Sequence, residues 1–316
     1  MTYGLIIIGG GPAGLSGGMY AARLNLKTLV LAVLPGGLLT NIHDIENWPG
    51  EKSISGMDLA NNLMEHAKTS GAEIKFEEVT AVEKGKNEAG EAVFKVKTTG
   101  GAVYESYSLL FATGGKHRLL NVAGEKEFSG KGVSYCALCD ANFYKDKTVL
   151  VVGGGDAAAK DAMVLAEKCS KVYMLVRSVL RAEAANIKLL EQNPKIEIIY
   201  GTEVAEIMGT GVPSAAGAKV ALVRLKSGRE LTVDGVFVAI GLDPMNVLAK
   251  DLGVKLNDKG EIIVDRASQT NLAGVYAAGD CTDIEIKQAI VGSSQAVMAA
   301  FSAYKYIRNL IKIYEK

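Results

Sequence analysis

Leu5-Ile6-Ile7-Ile8-Gly9-Gly10-Gly11-Pro12-Ala13-Gly14 is the stretch that decides the fold of this 316-residue chain. An apolar strand runs straight into a glycine turn, a helix follows over about Pro12 to Leu24, and Thr28 to Leu31 reads as the next strand. Strand, turn, helix and strand in that order make a βαβ unit of the Rossmann type. In such a turn Gly9 permits the change of direction, Gly11 lets the backbone approach a pyrophosphate, and Gly14 allows the helix to pack closely on the strand. The helix N-terminus adds N–H donors and positive potential for phosphates.

The same logic recurs further on. Val149-Leu150-Val151-Val152 leads into Gly153-Gly154-Gly155-Asp156-Ala157-Ala158, then a helix over about Asp156 to Cys169 and a strand over Val172 to Val176. Gly153, Gly155 and Ala158 keep the geometry that a pyrophosphate needs, alanine being acceptable in the third place. Between the two units a helix is expected over about Gly56 to Ser70, and Glu73 to Leu110 breaks into short alternating runs that read as an antiparallel insert. Leu109-Leu110-Phe111-Ala112 reads as a buried strand ending in Thr113-Gly114-Gly115. After the second unit, strands are expected at Ile196 to Tyr200, Lys219 to Leu225 and Val236 to Ile240, with a boundary at Gly241-Leu242-Asp243-Pro244. A strand over Gly274 to Ala278 then reaches Gly279-Asp280, and a final helix carries Val297, Phe301, Tyr304, Ile307, Ile311 and Tyr314 at helical spacing.

Composition narrows the classes of function. The chain exceeds the usual size of one core, and 48% apolar residues suffice for two. Lysine plus arginine and aspartate plus glutamate number 35 each, so no global field draws nucleic acid or an anionic membrane. No apolar run approaches the roughly 20 residues that span a bilayer, and no basic leader precedes the first strand, so a cytoplasmic protein is expected. Four cysteines are too few for a disulfide framework, which leaves catalysis or metal binding for the one closely spaced pair.

That pair is Cys136-Ala137-Leu138-Cys139, followed at once by Asp140. Two cysteines at this spacing close a small disulfide ring, and a helix starting there stabilises a thiolate. The competing reading is half of a zinc site. Cys169 and Cys281 are isolated, and His43, His66 and His117 show no paired ligand spacing, so no metal is expected and both remaining cysteines are read as packed thiols. His117, near the first linker, is read as structural, and Trp48, in Glu46-Asn47-Trp48-Pro49-Gly50, as a core anchor.

The order of these pieces resembles the low-molecular-weight thioredoxin reductases from the first strand to the last helix. The resemblance rests on the first fingerprint, the Glu46–Gly50 segment, Ala112-Thr113-Gly114, the dithiol with Asp140, the second fingerprint, and Gly279-Asp280 with Lys287-Gln288-Ala289. It implies an α/β fold of two Rossmann-like, three-layer domains, the second inserted in the first. Residues 1–116 and 245–316 would form a discontinuous FAD-binding domain, and 117–244 an NAD(P)H-binding domain carrying the dithiol. It also implies flavin contacts at Gly9, Gly11, Pro12, Ala13, Gly14, Gly37, Leu38, Asn47, Ala112, Thr113, Gly114, Gly279, Asp280, Lys287, Gln288 and Ala289. Nicotinamide-nucleotide contacts would come from Gly153, Gly155, Asp156, Ala158, Arg177 and Arg181.

By the same resemblance Cys139 faces the flavin, Cys136 attacks the substrate disulfide, and Asp140 carries the proton, for which burial must raise its pKa. The implied activity is a relay from NADPH through FAD and the dithiol to thioredoxin, in a homodimer, with rotation about linkers near Gly114–Lys116 and Gly241–Met245. Two departures stand out. Leu31-Ala32-Val33 lacks the acid that usually holds a ribose in the first unit. Where NADPH-using relatives carry a His-Arg-Arg run and a further arginine, this chain has Leu175, Val176, Arg177 and Arg181. No acid replaces the missing arginines, so NADPH, NADH, or a donor such as ferredoxin or a deazaflavin stay open. A flavin-dependent dithiol oxidase and a non-enzymatic redox sensor are the alternatives outside that relay.

Overall fold

Glycine turns at the carboxyl ends of apolar strands organise the computed structural model, which describes residues 2–42, 45–210 and 217–314. The first strand, β1 (Thr2–Ile8), turns into α1 (Pro12–Arg23) and returns as β2 (Thr28–Leu31), parallel to β1 with Leu5 opposite Thr28 and Ile8 opposite Leu31. Ser55 caps α2 (Gly56–Thr69), its hydroxyl accepting the Asp58 N–H at 3.0 Å. The chain then adds β3 (Glu73–Lys75) parallel to β2, and β4 (Val79–Lys86), β5 (Ala92–Thr98) and β6 (Val103–Phe111) as an antiparallel meander. The last of these also runs parallel to β1.

A short strand, β7 (Gly115–His117), leads into the inserted segment. There β8 (Val133–Ser134) is followed by α3 (Ala137–Asp140), and β9 (Thr148–Val152) by α4 (Asp156–Lys168). Next come β10 (Lys171–Val176), α5 (Ala184–Gln192) and β11 (Ile196–Tyr200). An antiparallel trio follows, β12 (Val204–Thr210), β13 (Lys219–Leu225) and β14 (Glu230–Thr232), and then β15 (Gly235–Val238). The return passes through β16 (Leu242–Pro244), which pairs with β7, to α6 (Val247–Asp251), β17 (Val275–Ala277) and α7 (Ala289–Tyr314).

The chain divides into two compact units, residues 1–116 with 243–316, and residues 117–242. In the first, the sheet order is β3-β2-β1-β6-β5-β4, with β17 joining the carboxyl half of β6 where β5 has left it. Side-chain alternation along β1 feeds two cores. Ile6 and Ile8 pack with Leu109, Phe111 and Ile262 on one face, while Leu5 and Ile7 pack with Ala296, Ala299 and Ala303 of α7 on the other. Each fully buried aliphatic side chain contributes about 1.5–3 kcal/mol. In the second unit β11-β10-β9-β15-β8 is an all-parallel sheet. Val149, Val151 and Met174 face the alanines of α4, and Leu150, Val152 and Val236 face the β12–β14 sheet through Val204, Val223 and Leu231.

Two elements depart from the reading of the pattern. The antiparallel insert begins at Val79, because Glu73–Lys75 is a three-residue parallel edge strand, too short to show a period. β12 went unread because register shifts at Val204/Glu206 and Met208/Gly209 break its alternation. Of the final helix, Ile311 and Tyr314 have side chains outside the described residues, as does His43. Among the described residues no helix is long and apolar enough to cross a membrane.

Candidate functional site

In the first unit the carboxyl ends of β1, β6 and β17 lie side by side and bring together Gly9, Ala112 and Gly279. A Cβ on Gly9 would run into the Ala112 carbonyl oxygen, and one on Gly14 into the Gly9 carbonyl oxygen, so backbone closeness alone demands glycine there. Gly11 differs, since a Cβ there would meet nothing within 4 Å. The space above Gly11, at the N-terminus of α1, is open for a group that needs backbone donors. Gly37 backs directly onto it, with a built Cβ 3.2 Å from the Gly11 Cα, and Leu38 beside it is partly exposed.

Two polar groups at this edge fit a ligand with hydroxyls. The Thr113 hydroxyl is buried without a hydrogen-bond partner among the described residues. Asp280 follows β17, and burial raises its pKa, with Lys287 opposing; no donor among the described residues reaches its carboxylate. Its backbone is firmly held. The Gly279 N–H donates to Gln295 Oε1 at 2.9 Å, a role for α7 that sequence reasoning missed, and the Thr282 hydroxyl donates to the Gly279 carbonyl at 2.8 Å. Lys287 is engaged as well, its ammonium donating to the carbonyls of Asp280 at 3.1 Å and Thr282 at 2.8 Å and pairing with Glu261 at 2.9 Å. Lys287 therefore pins the Asp280 turn, and Gln288 and Ala289 beyond it are half-buried.

Ala289 packs in one small cluster with Leu39, Ile45, Leu59 and Trp48, which brings the Gly37–Leu38 loop, the Asn47 segment and the start of α7 into one neighbourhood. Trp48 is thus a core anchor. Pro12 and Ala13 open α1, with Ala13 3.2 Å from a Cβ built on Gly279, and Gly114 holds a positive φ of 67° while accepting the Met245 N–H. Pyrophosphate cradle, unpartnered hydroxyl and unpartnered acid together fit a flavin dinucleotide.

The second unit carries the dithiol. Cys136 and Cys139 form a disulfide, Cys136 standing at the N-cap of α3 directly after edge strand β8. Since β8, β15 and β9 are parallel neighbours, the dithiol and the Gly153–Gly155 turn emerge from the same carboxyl end of this sheet, two strand spacings or about 10 Å apart. The expected helix dipole is small, because α3 is a single turn. What Cys136 does receive is the Cys139 N–H, which donates to its sulfur at 3.2 Å. Its own N–H donates to the Ser134 hydroxyl at 3.1 Å. Leu138, between the cysteines, is 55% exposed.

Asp140 is partly buried, and desolvation raises its pKa against a weaker lowering by the Ser134 hydroxyl. Tyr144, on the next turn, is pushed up to about 12 by burial and by the charges of Asp140 and Asp234. Tyr135, the residue before Cys136, reaches a buried carboxylate that the sequence pattern did not reveal. Glu125, 1% exposed, accepts the N–H of Leu120 at 2.8 Å, the N–H of Asn121 at 2.7 Å and the Tyr135 hydroxyl at 3.1 Å. His117 stacks on the Tyr135 ring at 5.1 Å, and burial lowers its pKa. Cys169 and Cys281 are both buried in core clusters, and burial pushes the Cys169 thiol up to about 11.

At the second glycine turn Gly155, like Gly11, faces open space, while a Cβ on Gly153 would strike the Ala239 carbonyl oxygen and the Ala158 methyl at 2.8 Å. Asp156 is occupied. Its carboxylate accepts the Asn186 side-chain amide at 2.7 Å and the Glu183 N–H at 3.1 Å, with Lys160 at 3.4 Å, which hold it below the usual carboxylate range. It fastens the loop that carries Arg181, whose N–H donates to the Gly154 carbonyl at 2.7 Å. Arg177 and Arg181 are both exposed.

Residues 3–296 match the family model described as pyridine nucleotide-disulphide oxidoreductase. The chain is 38% identical over 312 residues to a thioredoxin reductase of Listeria monocytogenes, covering 98% of this chain and 95% of that one. It is 39% identical over 313 residues to a thioredoxin reductase of Treponema pallidum, covering 98% of each. Among solved structures, the thioredoxin reductase of Streptococcus pyogenes superposes with a TM-score of 0.88 at 33% identity, covering 98% of this chain and 99% of that one.

Proposed function

The chain belongs to the pyridine nucleotide-disulphide oxidoreductases, among their thioredoxin reductases, and on that premise we propose that it takes reducing equivalents from NADPH, passes them through FAD to the Cys136–Cys139 disulfide, and reduces thioredoxin. The observation that carries this reading is the pairing, at the carboxyl end of one sheet, of a disulfide next to a desolvated acid with an open glycine turn. Residues 1–116 with 245–316 are the FAD-binding domain in this reading, and 117–244 the nicotinamide domain.

FAD would be held by the Gly9–Gly14 turn, Gly37, Thr113 and Asp280, where it supplies a centre that accepts two electrons from a nicotinamide and yields them to a disulfide. Asp280 would accept a hydrogen bond from a hydroxyl of that group, and Thr113 would gain the hydrogen bond it lacks. Two electrons and two protons convert the Cys136–Cys139 disulfide to a dithiol. The Cys139 N–H that already points at Cys136 stabilises its thiolate, which makes Cys136 the nucleophile toward the incoming disulfide. Attack forms a mixed disulfide and expels one thioredoxin thiolate; Cys139 then attacks Cys136, restoring the internal disulfide and expelling the second. Asp140 holds and returns the proton, its raised pKa bringing it toward the range where a carboxyl can do both. Serving first an internal and then an external partner requires the dithiol to change surroundings, and the linkers at Gly114–Lys116 and Gly241–Met245 take up that change. The working assembly in this reading is a homodimer.

Anaerobic mixing of the yellow protein with NADPH, and separately with NADH, tests the relay. Bleaching of the flavin band by NADPH, reversed by oxidised thioredoxin, is expected. A flavin that dithionite reduces but neither nucleotide does would replace the nicotinamide donor with another, such as ferredoxin.

A further inference from the structure

The carboxyl end of β10 carries a charged cluster that a glycine fingerprint does not require. Arg177 Nη1 lies 3.8 Å from Glu203 Oε1, and Glu203 Oε2 lies 2.7 Å from Lys226 Nζ. Glu203 comes from the turn between β11 and β12, which is fastened to the end of β10 by the Gly201 N–H donating to the Val176 carbonyl at 3.1 Å. On the other side, Arg181 is fastened to the glycine turn itself through the Gly154 carbonyl. The cluster therefore sits where the adenine ribose of a dinucleotide lies, one strand over from the pyrophosphate turn. At that place a carboxylate accepts a hydrogen bond from the ribose 2'-hydroxyl, and an arginine takes up a 2'-phosphate.

Strand β10 ends at Val176, with Arg177 next, and has no acid. We infer that Glu203 supplies the acid from the turn after the neighbouring strand and is the residue that sets donor discrimination, accepting the 2'-hydroxyl of NADH and opposing the 2'-phosphate of NADPH. This rests on the nicotinamide reading above. The two ion pairs differ in a way that gives Glu203 this control. The Arg177 pair is long and its side chain 73% exposed, so it is weak and Arg177 is free to turn toward a phosphate. The Lys226 pair is short, and Lys226 holds the Glu203 carboxyl below the usual range, so the group is an anion whichever nucleotide arrives. A phosphate drawn to Arg177 thus meets a like charge close by. Both nucleotides are then accepted, with NADPH favoured less than two arginines alone would give.

The test is calorimetric titration of the whole flavoprotein with adenosine 2',5'-bisphosphate and with 5'-AMP, in wild type and in Glu203→Gln. Glutamine keeps the length of an exposed side chain, and losing a surface pair costs the fold little. The expected result is that E203Q shifts the ratio of the two affinities about three- to tenfold toward the bisphosphate, the size of one nearby charge in high dielectric. Arg177→Ala should shift it the other way. Binding of both ligands with an unchanged ratio in E203Q overturns the inference while leaving the nicotinamide site standing. Failure of either ligand to bind the wild type overturns the nicotinamide reading and the inference with it.

Discussion

Replacing Asp140 with asparagine separates proton transfer from everything else the dithiol needs. Asparagine keeps the shape, the burial and a hydrogen bond for Ser134, and removes only the titration. Desolvation places the folded pKa above the ordinary aspartate value, which the unfolded chain keeps. Between those two values the folded protein binds the extra proton, so stability falls as pH rises through that window. Above it the full penalty is present, about 1.4 kcal/mol for each unit of elevation, and below it the penalty vanishes. Asp140→Asn is therefore expected to be more stable than wild type at high pH and equal at low pH, in denaturant midpoints measured across the acid-to-neutral range. Asp161, pushed up to about 6 by burial, bends both curves alike, so only the difference reports Asp140. For catalysis, loss of a positioned acid–base costs about 10²- to 10⁴-fold. Stopped-flow reoxidation of the reduced enzyme by thioredoxin should slow by that factor while flavin bleaching by NADPH keeps its rate. Thioredoxin-dependent turnover at the wild-type rate with an unaltered pH profile would refute the role given to this carboxyl.

Cys136→Ser and Cys139→Ser are each expected to abolish thioredoxin reduction and to leave bleaching of the flavin by NADPH intact, read by absorbance under anaerobic conditions. Gly11→Val is expected to fold and lose its flavin, since its side chain enters open space, whereas Gly14→Ala should fail to fold because its methyl meets the Gly9 carbonyl; circular dichroism and flavin absorbance distinguish them. Glu125→Ala leaves the N–H groups of Leu120 and Asn121 and the Tyr135 hydroxyl without their acceptor and should destabilise the second unit by about 1–3 kcal/mol in chemical denaturation. Glu125→Gln, which keeps one acceptor oxygen, should cost less than alanine, and equal losses would show that packing rather than hydrogen bonding is at stake.

Features encoded within a few residues were legible in the chain. The two glycine fingerprints, the dithiol with Asp140, and the apolar runs of β1 and β9 each depend on local spacing: backbone closeness forbids a side chain at Gly9 and Gly14, and two intervening residues bring Cys136 to Cys139. From these, and from the family resemblance they carry, came the fold class and the kind of chemistry. Other features exist only because the sheets bring distant segments together. Glu125 looks like any surface acid until the fold buries it against Leu120, Asn121 and Tyr135, and Gln295 looks like an ordinary helix residue until Gly279 arrives beside it. Reading along β10 found no acid at its end, yet the parallel pairing of β11 with β10 brings Glu203 beside Arg177 there. A strand's neighbours are chosen by burial across the whole sheet, and a charge has no periodic signature, so which carboxylate meets which cation was settled only by the tertiary structure.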